Sequence, residues 1–439
     1  MEKPEKMETF HITTFGCQMN LADSSTLAAA MINRGYRRVN SESEADLIVL
    51  NTCSVREKAE TRVLGRLGEL SRLKQKNPHL RLAVVGCMAQ RLGSQLLEQA
   101  PCVDYVLGTD RVFDLPDVIR NSNGTQTILT TLGRENIDTI TPIKETPFSG
   151  FVTISRGCDN YCSYCIVPYV RGKERAHSAD FIIDSIRKMV ADGVVEITLL
   201  GQNVNSYSCD GTDFPALLER AARETDVRRL RFMTSHPKDL SRKLVDVMAG
   251  QPKVMPHVHL PLQAGSNRVL QRMGREYTTE HYLEIIDYIR GALDYVCLTT
   301  DLLVGFPGET GQEFEMTLKM VEQIEFDSAF MFRYSARPGT AAARLEDDVP
   351  EEEKIDRLNK LIRLQNQVSR RRNQREVDQV RFSLVEGTSR RDKAVMRART
   401  EGNKTVLFEA SNAAAGDIVP VRITTADAFT LHGRMEETL

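Results

Sequence analysis

Phe151-Val152-Thr153-Ile154-Ser155-Arg156-Gly157-Cys158-Asp159-Asn160-Tyr161-Cys162-Ser163-Tyr164-Cys165 is the stretch on which the fold turns. The β-rich run Phe151–Ser155 leads into a loop with three cysteines at Cys-x3-Cys-x2-Cys spacing. Both gaps are short, so the three thiolates converge and one loop can wrap a cubane. Soft thiolates select zinc or iron–sulfur. A structural zinc site takes four protein ligands, and the nearest histidine, His177, lies twelve residues past Cys165. A disulfide framework takes pairs. Three thiolates on a cubane hold three irons and leave the fourth open to another ligand.

Outward from this loop, β-rich segments recur at Val195–Leu200, Arg229–Met233, His257–Leu260, Val296–Leu303 and Ala329–Tyr334. Helical patterns fall between them, among them Ser178–Ala191, Glu280–Arg290 and Gly311–Gln323. Six such βα units predict a partial or full parallel barrel with a packed interior and its functional groups on the loops after the strands. Residues at those strand ends are candidate ligand contacts: Gly201-Gln202-Asn203, Ser235-His236, Gln263 and the turn Gly305-Phe306-Pro307-Gly308-Glu309-Thr310. Any one of them could be turn chemistry alone.

Toward the amino end a second trio is scattered. Thr9–Phe15 ends at Gly16-Cys17, Ala45–Leu50 at Asn51-Thr52-Cys53, and Leu80–Val85 at Gly86-Cys87. Helical patterns at Ser24–Arg34 and Arg56–Lys76 separate them, the second with Val63, Leu64, Leu67 and Leu70 at helical spacing. Continuous apolar strands alternating with helices predict an open parallel sheet covered on both faces. Ligands of such sheets bind at the carboxyl ends of the strands, so Cys17, Cys53 and Cys87 are expected to meet there. Glycine at 16 and 86 lets backbone approach what binds. A lone buried cysteine is usually core; three at equivalent strand ends read as a site.

Asn121–Gly150 reads as a linker. A basic helical pattern runs from Glu351 to about Arg375 and includes Arg370-Arg371-Arg372. Beyond it, short β-rich segments from Val380–Val385 to Thr430–Leu431 predict a small antiparallel barrel. The expected domains are 1–145, 146–372 and 373–439. A net charge of −2 makes attraction to nucleic acid a matter of local patches. No apolar run approaches the ~20 residues that cross a bilayer, and the first residues lack a signal peptide's apolar body. The expectation is a cytoplasmic protein without membrane partners. Nine cysteines, an odd number, argue for reduced thiols; Cys102, Cys209 and Cys297 stand apart and read as structural.

The compact trio after a first barrel strand resembles the radical S-adenosylmethionine superfamily, and the resemblance extends over essentially the whole chain. Phe15-Gly16-Cys17-Gln18-Met19-Asn20, Asn51-Thr52-Cys53-Ser54-Val55-Arg56-Glu57-Lys58-Ala59 and Val85-Gly86-Cys87-Met88-Ala89-Gln90 are similar to the methylthiotransferase family. Within it the first two motifs, with Thr234-Ser235-His236-Pro237 and His259-Leu260-Pro261-Leu262-Gln263, resemble the MiaB branch. The fold implied is α/β: an N-terminal open parallel α/β sheet domain, a central partial (βα)6 radical-SAM barrel and a C-terminal TRAM barrel.

The resemblance implies two [4Fe–4S] clusters, one on Cys158, Cys162 and Cys165 and an auxiliary one on Cys17, Cys53 and Cys87. S-adenosyl-L-methionine would bind the open iron of the first, with Tyr164 near the adenine and Gln202, Asn203, Ser235 and Gln263 as contacts. The implied activity is methylthiolation of C2 of N6-isopentenyladenosine at position 37 of tRNA. Threonylcarbamoyladenosine in tRNA, a ribosomal protein aspartate, and a non-catalytic iron–sulfur RNA-binding sensor are the alternatives. An electron donor and a sulfur or cluster donor are implied as partners. RNA contacts are expected from Arg370, Arg371, Arg372 and Arg397, since the TRAM-like region is basic although the whole chain is not. The pattern departs from the family at Ala176-His177-Ser178, where Ser-Arg-Pro is usual, and at Ala264, where serine is common. The first puts an anion contact in doubt.

Overall fold

The computed structural model describes residues 8–54, 57–122, 124–133, 138, 140–409 and 412–436. Val55 and Arg56 of the second cysteine motif lie outside them, so the helix expected from Arg56 is described from Glu57.

The amino-terminal unit is a six-stranded sheet in the order Arg37–Arg38, Thr9–Thr14, Leu47–Thr52, Arg81–Gly86, Tyr105–Leu107, Thr127–Leu129, with every pairing parallel. Leu47–Thr52 is buried at every position. Ile48 and Leu50 pack with Val63, Leu67 and Leu70 of the helix Glu57–Lys76, while Leu47 and Val49 pack with Leu27, Ala28 and Met31 of the helix Gln18–Asn33. The period of two therefore sends alternate residues to two helix layers. Two expectations are corrected. The helix expected from Ser24 starts at Gln18, directly after Cys17. The stretch Asn121–Gly150 is not all linker: Thr127–Leu129 pairs with Tyr105–Leu107 and forms the sheet edge. A three-residue strand among Asn, Gly and Thr has too little period to read, and its neighbour in space supplies the order.

The central unit has the six expected strands in two parallel triplets. One is ordered Arg229–Phe232, Glu196–Leu200, Ser149–Thr153; the other is His257–His259, Cys297–Val304, Ser328–Arg333. A parallel bridge between Leu230 and Val254 links the halves. Ser178, Asp213, Ser241, Thr278 and Thr310 each accept a backbone hydrogen bond at the start of a surrounding helix; such caps contribute about 1 kcal/mol each. Ile197, Leu199, Leu230, Phe232, Leu298 and Leu302 face these helices in one large core. The alternate positions face inward. At the amino end of the strands the barrel is filled by ions: Glu196 lies between Arg229 (3.1 Å) and Arg231 (2.8 Å).

The carboxy-terminal unit is a closed five-stranded barrel, Val380–Thr388, Val395–Thr400, Thr405–Glu409, Thr430–Met435, Ile418–Ala426. Four of its pairings are antiparallel, and Thr405–Glu409 with Thr430–Met435 is parallel. The boundary expected at 372 falls within the last turn of the helix Glu351–Gln374.

The turn between Val395–Thr400 and Thr405–Glu409 plugs the amino end of the central barrel. Arg229 and Arg231 donate to the Thr400 carbonyl at 2.8 and 2.7 Å, and Arg231 also to that of Glu401 at 2.9 Å. Arg399 reaches Glu196 at 3.0 Å. A Cβ on Gly402 would stand 2.4 Å from both the Cys297 Sγ and the Tyr295 hydroxyl, so only glycine fits the tip.

Candidate functional site

The compact trio sits at the opposite, carboxyl rim. Gly157 has φ +79°, and a Cβ there would meet the carbonyl oxygens of Lys173 at 2.1 Å and Gly172 at 2.5 Å. The glycine thus lets the loop press against the chain that follows it. Cys158 and Cys165 have thiol pKa values pushed up to about 11 and about 12, chiefly by burial, with Cys162 adding to both. Burial thus favours the protonated form of the free Cys158 and Cys165 thiols, and a bound metal is what draws them to thiolates.

Arg275, which sequence reasoning missed, donates Nη1 to the Cys162 Sγ at 3.3 Å and Nη2 to the Pro261 carbonyl at 3.3 Å. Tyr277 fixes its Nε at 3.2 Å. Gly274 brings this segment within van der Waals reach of the Cys162 backbone. Tyr164 lies among Arg275, Tyr277, Cys162 and Cys165. No sequence signal marks Arg275, because its partner is 113 positions away.

Around the same rim, buried polar atoms stand at the ends of successive strands. Ser155 Oγ, Asn203 Oδ1, Ser235 Oγ and His236 Nε2 have no hydrogen-bond partner among the described residues. Asn203 is held through Nδ2 by Asp239 at 2.6 Å. Burial drives the His236 pKa down to about 2, with Arg275 and Lys238 adding to it, so the imidazole is neutral. Gln263 has φ +69° and is bridged to Leu302. Gln202 is half-buried beside Gly201, whose Cβ would reach Ser155 Oγ at 2.7 Å. Buried polar atoms in native proteins find partners. A ring of four without protein partners fits a ligand bearing amino, carboxylate and hydroxyl groups, as S-adenosylmethionine does.

The dispersed trio comes together as the strand ends predict. A hydrogen bond from Cys53 lowers the Cys17 thiol to about 6 against the opposing effect of burial, with Arg171 lowering it further. Cys17 is open to solvent although protein atoms crowd its thiol, whereas Cys53 and Cys87 are buried. Burial pushes Cys87 up. A Cβ on Gly16 would stand 2.9 Å from that of Cys53; on Gly86 (φ +93°) it would stand 2.6 Å from Asn51 Oδ1. The motif asparagines lace these loops. Asn20 Nδ2 donates to Asn51 Oδ1 (2.9 Å) and to the Thr52 carbonyl (3.0 Å), and Asn51 Nδ2 donates to the Asn20 carbonyl (2.8 Å).

The two trios meet across one interface. Cys87 packs with Ile166, the residue after Cys165, and with Val170. Thr109 Oγ1 donates to the Val170 carbonyl at 2.5 Å. Met19 and Ala22 lie on Leu200, beside Phe151 and Met233.

Elsewhere, Cys297, Asp327 and Glu376 are buried close enough to share a metal ion. Lys404 Nζ already bonds Asp327 at 2.8 Å and Glu376 at 2.9 Å, so a protein ammonium supplies the cation there. His177 donates Nδ1–H to the Asp138 carboxylate at 2.7 Å and stacks on Phe181. It is an anchor for the segment before the barrel. Ala264 is fully buried.

Of the expected RNA contacts, Arg370 is exposed. Arg371 is exposed near Glu325, and Arg397 lies 3.1 Å from Glu386. Arg372 is different: its guanidinium turns inward to Asp327 at 3.3 Å and to the Val296 carbonyl.

Comparison with known proteins agrees with this architecture. A model described as uncharacterized protein family UPF0004 matches residues 9–108, the radical SAM superfamily matches 152–321, and the TRAM domain matches 374–435. The chain is 44% identical over 436 residues to a tRNA-2-methylthio-N(6)-dimethylallyladenosine synthase of Moorella thermoacetica, covering 98% of each chain. It is 43% identical to the protein of that name from Syntrophomonas wolfei, covering 99% of each. Among solved structures, the radical S-adenosylmethionine methyltransferase TsrM from Kitasatospora setae superposes with a TM-score of 0.57 at 14% identity, over 76% of this chain and 75% of that one. That likeness is one of fold. No helix among the described residues is long and apolar enough to cross a membrane.

Proposed function

We propose the reaction of this chain from the family to which it belongs, the tRNA-2-methylthio-N(6)-dimethylallyladenosine synthases: replacement of the C2 hydrogen of N6-isopentenyladenosine at position 37 of tRNA by a methylthio group. The observation that carries it is the packing of Cys87 against Ile166 and Val170, which puts a second three-thiol site beside the radical loop. When bound, a [4Fe–4S] cluster with S-adenosylmethionine on Cys158, Cys162 and Cys165 supplies hydrogen-abstracting radical chemistry, and a second cluster on Cys17, Cys53 and Cys87 supplies an iron open to sulfur.

The protein's part is to bind, orient and exclude water. Gly157 and Gly274 let backbone close over the compact trio. Arg275 balances charge at Cys162, and Tyr164 fills the space beside it. Asn203, Ser235 and neutral His236 offer partners for the cofactor's polar groups. Phe330 and Phe332 are exposed on the inward face of the last barrel strand, with His259 edge-on to Phe330 at 6.0 Å. They form an aromatic wall suited to an unpaired base with an apolar isopentenyl tail. A carboxylate-bearing threonylcarbamoyl group finds no such match there.

The tRNA substrate puts the reaction in the cytoplasm, and an electron donor and a sulfur or cluster donor complete the partner set. Mass spectrometry of tRNA nucleosides from cells with and without the protein tests this reading. Loss of 2-methylthio-N6-isopentenyladenosine is expected, and an unchanged nucleoside profile would overturn it.

For RNA binding, Arg370→Ala with Arg371→Ala should weaken tRNA affinity and reduce the slope of log K against log salt by up to ~2. Arg372→Ala should instead act on stability. Wild-type affinity and slope in the double variant would remove the patch from binding.

A further inference from the structure

Arg171 ends the helix Val167–Arg171, six residues after Cys165, yet its guanidinium points into the other trio. It is 3% exposed. Nη2 donates to Asp23 Oδ2 at 2.9 Å, while the other oxygen of Asp23 takes Arg156 Nη2 at 2.7 Å. Nη1 has no partner within ordinary hydrogen-bond geometry among the described residues and no access to solvent, while the guanidinium stands close enough to the Cys87 thiol to act on it as a hydrogen-bond donor. The groups its charge bears on, besides Asp23, are Cys87 and Cys17.

Two buried guanidiniums share one buried carboxylate, which leaves one positive charge to be met from the trio, whose Cys17 thiol is already lowered, and an open donor at Nη1. Both are costly inside a protein unless an anion meets them. An oxidised cubane on three thiolates carries one net negative charge, and its sulfurs accept hydrogen bonds. Hydrogen bonds to the sulfurs and local charge set the potential of such clusters.

We propose that Arg171 is a positioning residue for the dispersed-trio cluster: its Nη1 donates to a sulfur of that cluster, completes the charge balance with Asp23 and Arg156, and makes the cluster easier to reduce. This rests on the reading that Cys17, Cys53 and Cys87 hold an iron–sulfur cluster. The helix that follows the radical loop thereby sets the electronic state of the sulfur-handling site.

The test uses the full-length chain with Cys158, Cys162 and Cys165 changed to alanine, so that only the dispersed site holds iron. Midpoint potentials are read by redox titration followed by electron paramagnetic resonance. Arg171→Gln should make reduction at least tenfold less favourable, a shift of about 59 mV to more negative potential for one electron. Arg171→Lys, which keeps the charge, should shift less. A merely structural role would change folding or iron content but not the potential of the cluster that remains. An unchanged potential in whichever of the two variants binds iron overturns the proposal. A parent protein that binds no iron overturns the cluster reading on which it rests.

Discussion

Cys87→Ala should abolish methylthiolation while 5′-deoxyadenosine continues to form under reduction, and the same split is expected for Cys17→Ala and Cys53→Ala. The radical loop Gly157–Cys165 keeps its own contacts with Gly172, Lys173, Gly274 and Arg275 in these variants. Bound iron should fall from about eight to about four per chain. Changing Cys158, Cys162 or Cys165 should give the complementary result, with no 5′-deoxyadenosine and iron retained at the other site. Iron analysis and chromatography of the adenosine products read both outcomes. Loss of 5′-deoxyadenosine in all six variants would mean that the trios form one inseparable centre.

Glu196→Ala should undock the carboxy-terminal barrel. Glu196 is 1% exposed and meets Arg229, Arg231 and Arg399, the last from across the domain junction. Removing it leaves three guanidiniums facing one another, and breaking a buried ion pair in this way costs about 3–5 kcal/mol. The expected readings are a lower urea midpoint and new protease cleavage near the junction at Arg375–Gln379; a wild-type pattern in both would show that the carbonyl contacts of Thr400 and Glu401 suffice. The pH dependence has a definite sign. Burial raises the Glu196 carboxyl, but Arg231, Arg399 and Arg229 overcome this and hold it below the usual glutamate range. Its contribution is therefore fully present above the ordinary value of ~4.3 and is lost as pH falls through the lowered folded value.

What could be read from the chain divides by the range of the interactions. Cys158, Cys162 and Cys165 were legible because their spacing is local, and the barrel strands because their β-rich composition is. Cys17, Cys53 and Cys87 were legible through topology, since each ends a strand of one sheet. Asp23 was not: it sits mid-helix with ordinary spacing, and its partner Arg171 is 148 residues away. Glu196 and Arg229 carry no sequence signal of their own, and only the arrival of the Thr400–Thr405 turn explains charges inside a barrel. The basic run at 370–372 read as one patch, whereas helix geometry turns Arg370 and Arg371 outward and Arg372 inward.

The turn at Gly402 has a further consequence for traffic. With its floor sealed by a neighbouring domain, the central barrel is a blind-ended vessel, and everything that reacts at its rim is served from the clustered side. Cofactor, base and spent fragments then queue for shared access. A cofactor seated at that rim and a base brought to it would share the one open side.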